Sequence, residues 1–219
     1  MKKPKENEHG TDEGAQINLA GFLARSAVNG PGTRTVIWVQ GCPIRCEGCF
    51  NPRFWSSAPA RHVSVPALVE RILAVSGSDG VTFSGGEPFA QAAALAVVGE
   101  KIHDAGRSLV TYTGYTCDEL LRRGTPSWLH LLRVTDLLIA GPFVQSLSCA
   151  APLIGSSNQS VIRLSDRVPP VSSLEPDRSL TVEFTIAPDG SLTATGFPTG
   201  RMVQAFAPCG EEIHDHVTL

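Results

Sequence analysis

The sequence predicts an α/β fold, with mainly parallel strands forming an open sheet or a partial (β/α) barrel. Three observations predict it. Four short runs rich in β-branched or aromatic residues stand at 35–39, 81–83, 108–113 and 136–140. Stretches of helical period separate them, and glycines close three of them, at Gly85, Gly114 and Gly141. Strands alternating with helices argue for right-handed βαβ units.

Taken in order, residues 1–15 are polar and charged without an apolar period and read as a disordered tail. Residues 17–32 are mixed and end in Asn29-Gly30-Pro31-Gly32, a strong turn signal. The run 35–39 reads as a buried strand that feeds directly into a loop carrying three cysteines. Val65, Leu68, Val69, Ile72 and Leu73 recur on one helical face, with Ser64 placed to cap it. A strand at 81–83 ends at Gly85-Gly86, residues 89–104 are Ala-rich helix material, and 108–113 is a third strand. Asp118 is expected to cap a short helix through Arg122, a second is expected at 127–133, and 136–140 is the fourth strand.

Beyond residue 165 the character changes. Pro169-Pro170 and Ser172-Ser173 look like a linker, and runs at 180–186 and 191–197 flank Pro188-Asp189-Gly190 as in a β-hairpin. The organisation expected is therefore a tail at 1–15, a core at 16–165, and a linker, hairpin and C-terminal tail at 166–219. A chain of 219 residues, 42% hydrophobic and 18% charged, suits one buried core.

A net charge of −3 leaves no electrostatic footprint for nucleic acid or an anionic membrane. No apolar run approaches the roughly 20 residues that span a bilayer, and the opening residues lack the apolar segment of a signal peptide. A cytoplasmic protein is expected.

Of the six cysteines, Cys42, Cys46 and Cys49 fall together in a C-x3-C-x2-C spacing, while Cys117, Cys149 and Cys209 lie apart. In a reducing compartment the cluster points to metal chemistry rather than to disulfides. Three thiolates can hold three irons of a cubane and leave the fourth open to a ligand, as catalytic metal centres keep a position free. Structural zinc, with His62 as a fourth ligand, fits the same spacing. The isolated cysteines read as small buried hydrophobes, and His214-Asp215-His216 as part of a solvated terminus. Arg34 and Arg45 either steady the charge of a metal site or face solvent.

With Ser84-Gly85-Gly86-Glu87-Pro88 placed after the second of these strands, the sequence resembles the radical SAM superfamily. That family carries C-x3-C-x2-C after its first strand and a GGE-P sequence after its second. The resemblance sharpens toward the activating proteins of anaerobic ribonucleotide reductase. It rests on residues 28–34, 41–51 and 84–88, on Thr113-Gly114-Tyr115, and on 141–145 followed by 155–159. It implies a partial barrel of the radical SAM type, with Cys42, Cys46 and Cys49 as [4Fe-4S] ligands. It also implies a site for S-adenosylmethionine (SAM) built by Gly48, Cys49, Phe50, Asn51, Ser84, Gly85, Gly86, Glu87 and Thr113. Gly48 stands where many members of the superfamily carry an aromatic, and the chain continues past the usual core.

The function implied is reductive cleavage of SAM to a 5′-deoxyadenosyl radical that activates a large glycyl-radical enzyme by abstracting a glycine hydrogen. Flavodoxin or ferredoxin would supply the electron. The alternatives are radical modification of a peptide or small molecule in a biosynthetic pathway and, from another class, a non-catalytic zinc-binding interaction protein.

Overall fold

The structure, a computed structural model, describes residues 14–170, 182–186 and 192–196. Most of the expected N-terminal tail, the linker beyond Pro170, the 188–190 turn, Cys209 and His214-Asp215-His216 lie outside the described residues.

Eleven strands are described. β1 (Gln16–Ser26), β2 (Arg34–Val39), β3 (Arg61–Ser64), β4 (Gly80–Gly85), β5 (Ser108–Thr113), β6 (Leu137–Ala140) and β9 (Ser160–Arg163) form one sheet, in the order β3-β1-β2-β4-β5-β6-β9. The four central strands β2, β4, β5 and β6 are parallel, whereas β1, β3 and β9 run antiparallel at the edges. The fold is thus mixed α/β around a mostly parallel sheet. Two small antiparallel pairs stand apart from it: β7 (Ser148–Ala151) with β8 (Ile154–Ser156), and β10 (Val182–Ile186) with β11 (Leu192–Gly196).

The period of two along β2 explains how the sheet is covered. Ile37 and Val39 point to a core shared with Leu68 and Ile72 of α1 (Val65–Leu73), Leu95 and Ile102 of α2 (Ala92–Asp104) and Leu131 of α4 (Pro126–Val134). Val36 and Trp38 point the other way, against Phe54. All six residues of β2 are buried, as expected of a strand covered on both faces.

The helix starts show local chemistry at work. Ser64 Oγ accepts from the Ala67 N–H at the start of α1, as the sequence predicts. For α3 (Cys117–Arg123) the cap is Thr116 rather than Asp118. Thr116 Oγ1 accepts from the Glu119 N–H, and Glu119 Oε2 accepts from the Thr116 N–H. Thr116 stands three residues before a glutamate, so it closes a reciprocal box that Asp118, already inside the first turn, cannot form.

The amino ends of the parallel strands are fastened by Arg34, which is 1% exposed. Its guanidinium donates to Thr82 Oγ1 (2.9 Å), Pro31 O (3.1 Å), Ser108 Oγ (3.1 Å), Val81 O (2.7 Å) and Ser108 O (2.8 Å). Burial lowers its pKa to about 10, which leaves it charged at neutral pH. Asp136 fastens the same end, accepting from the Leu109 N–H at 2.7 Å and pairing with His103 Nε2 at 2.9 Å. Arg34 therefore belongs to the scaffold and not to the cysteine loop. Among the described residues, no helix is long and apolar enough to cross a membrane.

Candidate active site

The carboxyl ends of the parallel strands open onto one cavity, the usual place for chemistry in such sheets. It is lined by Cys42, Cys46, Cys49, Phe50 and Asn51 after β2, by Ser84, Gly85, Gly86 and Glu87 around the end of β4, and by Thr113 and Gly114 at the end of β5. Of the residues expected at a cofactor site from sequence, only Gly48 is missing from the lining. It adjoins Cys49, and a Cβ there would meet the Gln145 side chain at 2.8 Å.

The cysteine loop is shaped by backbone conformation. Each cysteine follows a residue of positive φ: Gly41 (101°), Arg45 (53°) and Gly48 (72°). These three left-handed positions bend the chain back on itself before each thiol, so that eight residues present three side chains to one space. The loop is fastened at its base, where Gly41 N–H donates to Phe54 O at 2.9 Å and Cys42 N–H to Trp55 O at 3.1 Å. Cys49 N–H donates to Cys46 O at 3.2 Å, and Asn51 N–H to Cys49 Sγ at 3.4 Å. All three thiols are free and half-buried. Burial pushes the Cys42 and Cys46 thiols above their ordinary range.

Facing the loop, Gly85 and Gly86 make a cradle that no side chain fits. A Cβ on Gly85 would meet Val39 N at 2.6 Å, and one on Gly86 would meet Gly41 O at 2.4 Å. The closeness is functional in the sense that it seals the two motifs together: Gly86 N–H donates to Val39 O (2.7 Å) and Glu87 N–H to Gly41 O (2.9 Å). Glu87 is 1% exposed and its carboxylate is fully engaged, accepting from Phe89 N–H, Thr113 Oγ1 and Gly114 N–H, each at 2.9 Å. Burial nonetheless raises its pKa to about 7. Glu87 thus joins the ends of β4 and β5 across the cavity floor.

Two buried polar atoms in this region have no partner: Asn51 Oδ1 and Trp55 Nε1. Both residues line the cavity. An orphaned buried acceptor costs about 1–3 kcal/mol and points to a group that binds there. His62 is turned elsewhere, with Nδ1 3.0 Å from Gln16 Oε1. Among the described residues, no three His, Cys, Asp or Glu side chains converge as a single metal ion requires. A cubane asks for something different, since its thiolates are spread over three irons. Three free thiols on one loop, opening into one cavity beside an unpartnered amide oxygen, fit that group.

Cys117 and Cys149 are half-buried, and neither lines the cavity. Sequence reasoning did not find Trp55, Asn29 or Gly196, which do line it. Trp55 carried no signal beyond its nearness to the loop, and Gly196 lies far along the chain and reaches the cavity only through the folding of the C-terminal strands.

The chain is similar in sequence to known proteins. The profile of the 4Fe-4S single cluster domain matches residues 28–162. The anaerobic ribonucleoside-triphosphate reductase-activating protein of Vibrio cholerae serotype O1 is 33% identical over 159 residues, covering 67% of this chain and 98% of that protein. Its counterpart from Salmonella typhi is 32% identical over 148 residues, covering 63% and 92%. The pyruvate formate-lyase-activating enzyme of Clostridium pasteurianum is 31% identical over 118 residues, covering 51% of this chain and 46% of the enzyme.

Proposed function

This chain belongs to the 4Fe-4S single cluster domain family, among the radical SAM activases of glycyl-radical enzymes, and from that premise we propose that Cys42, Cys46 and Cys49 each hold one iron of its cluster while SAM takes the fourth. One observation carries the proposal: three free thiols and the Gly85-Gly86 cradle line a single cavity at the carboxyl ends of the parallel strands. When bound, the cluster supplies the electron that cleaves SAM to methionine and a 5′-deoxyadenosyl radical, which takes a hydrogen from a glycine of the partner enzyme.

The chain's own residues bind, orient and exclude water. Ser84, Gly85 and Gly86 offer backbone groups to the methionine amino group from the cavity wall, and the missing side chains of Gly85 and Gly86 let this turn close against Val39 and Gly41. Gly48, Cys49 and Phe50 offer backbone groups to the adenine, and Phe50 packs on Phe143 at a centroid distance of 5.0 Å, walling that side. Asn51 Oδ1 accepts from the cofactor, which resolves its missing partner. Thr113 lies at the cofactor's edge. With both oxygens engaged, Glu87 acts as a positioning residue that holds Thr113 and Gly114 in place.

In this reading residues 16–165 are a partial barrel of the radical SAM type, and 166–219 are an extension carrying a hairpin. Its partners are a low-potential flavodoxin or ferredoxin and a large glycyl-radical enzyme in the cytoplasm, with no nucleic acid or membrane involved. A second reading keeps the chemistry and moves the hydrogen to a peptide or small molecule. The observation favouring it is Gly196, a residue beyond the matched segment that lines the cavity.

Anaerobic reconstitution tests the proposal. The expected result is about four irons per chain with reductive SAM cleavage, both lost in Cys42→Ser, Cys46→Ser and Cys49→Ser. Zinc with no cleavage would overturn it. A glycyl radical seen by electron paramagnetic resonance on a partner enzyme supports the activase reading; turnover of a small substrate without one supports the second.

A further inference from the structure

The relatives account for only part of this chain. The Vibrio cholerae protein is 98% used on 67% of it, and the family profile ends at residue 162. The β10–β11 pair lies beyond that match, yet it touches the site. Glu183 Oε2 accepts from the Ala27 N–H at 3.1 Å, and Asn29 Nδ2 donates to Thr195 Oγ1 at 2.8 Å. Thr195 is 1% exposed and Ala194 4%, so β11 is packed at this contact. The next residue, Gly196, lines the cavity together with Val28 and Asn29 and the three cysteines.

Asn29 is also held by the sheet. Its Nδ2 also donates to Ser26 Oγ at 2.8 Å, and its carbonyl accepts from Thr82 Oγ1 at 2.7 Å. The 27–29 turn is therefore held to the sheet through Ser26 and Thr82 and to the added strands through Glu183 and Thr195. Its inner surface is cavity wall. From this arrangement we infer that Thr195 and Glu183 are positioning residues for SAM binding: they fix the 27–29 turn and so set the width of the cofactor cavity where Val28 and Asn29 line it. Neither touches the reacting atoms. Both act through Asn29 and Ala27, and the inference rests on the cofactor reading above.

The proposal predicts an effect on affinity rather than on the cluster. Two hydrogen bonds, one of them accepted by a carboxylate, are lost in a Thr195→Val/Glu183→Ala double variant of the full chain, reconstituted anaerobically. Titrating SAM by calorimetry against that holoenzyme is expected to give about tenfold weaker binding, the scale of one to two such bonds. Iron content and the cluster's electron paramagnetic resonance signal should match wild type. KM for SAM in reductive cleavage should rise by the same factor while kcat changes less. A Thr195→Ser/Glu183→Gln variant keeps both acceptor oxygens and should restore wild-type affinity.

Wild-type affinity in the first variant overturns the proposal. So does a loss that the conservative variant fails to restore, because that would assign the effect to packing rather than to the two hydrogen bonds. A wild-type chain that holds its irons but binds no SAM overturns the cofactor reading and this inference with it. Wild-type binding with an indifferent double variant overturns this inference alone.

Discussion

Thr113 Oγ1 donates a 2.9 Å hydrogen bond to Glu87 Oε1, and through that contact the end of β5 is joined to the turn that follows β4. The carboxylate is buried, and burial raises its pKa to about 7 from an ordinary 4.5. In the unfolded chain it would release its proton near the ordinary value. Between pH 4.5 and 7 the native state therefore holds more protons, and stability falls as pH rises through that window. Urea titrations of the metal-free protein should lose on the order of 3 kcal/mol across it. Glu87→Gln, which cannot ionise, should flatten the dependence. An unchanged slope in that variant would assign it to other groups.

The glycine cradle is predicted to be intolerant. Gly86→Ala puts a Cβ 2.4 Å from the Gly41 carbonyl oxygen, and Gly85→Ala combines a backbone collision with a φ of 101°. Since backbone atoms have to move, each substitution should cost about 1–3 kcal/mol. Chemical denaturation measures the stability, and iron-loaded protein should show SAM cleavage reduced by at least about tenfold.

The cysteine loop predicts a contrast between two of its residues. At Gly48, φ is 72° and Gln145 Oε1 would stand 2.8 Å from a Cβ, so Gly48→Ala should destabilise by about 1–2 kcal/mol. Arg45 already occupies a left-handed conformation, with φ at 53°. Arg45→Gly removes that cost while loosening the unfolded chain, and should leave stability within about 0.5 kcal/mol. Parallel melts of the two metal-free variants test the difference.

Asn51 should separate stability from function. Its Oδ1 is buried without a partner in the protein, so Asn51→Ala should leave the metal-free fold as stable as before or about 1 kcal/mol more so. The same variant should bind SAM about tenfold more weakly. Parallel loss of stability and affinity would mark Asn51 as a structural residue instead.

How much of this was legible in sequence depended on the range of the interactions. The parallel strands were readable because burial on both faces favours short runs rich in apolar and β-branched residues, as at residues 36–39 of β2. β1 was not, since its alternation is interrupted by irregular register between Leu19 and Gly21 and again between Leu23 and Ser26. β3 and β9 are short edge strands with polar composition and carry almost no signal. The cysteines were found because their spacing is local. The Glu87–Thr113 contact and the reach of Gly196 into the cavity depend on how separate elements return to one place. Thr116 was overlooked as a cap because Asp118 is the stronger capping residue in isolation, and the deciding partner, Glu119, sits three residues on.

Arg34 has a consequence for how far the sheet and the site depend on one another. Its five hydrogen bonds involve no cysteine and none of the glycines of the cavity, and they fasten the end of the sheet away from the cysteine loop. That end of the sheet is thereby held without any residue of the proposed cluster site. Loss of the proposed cluster would therefore leave this anchorage of the strands' amino ends untouched.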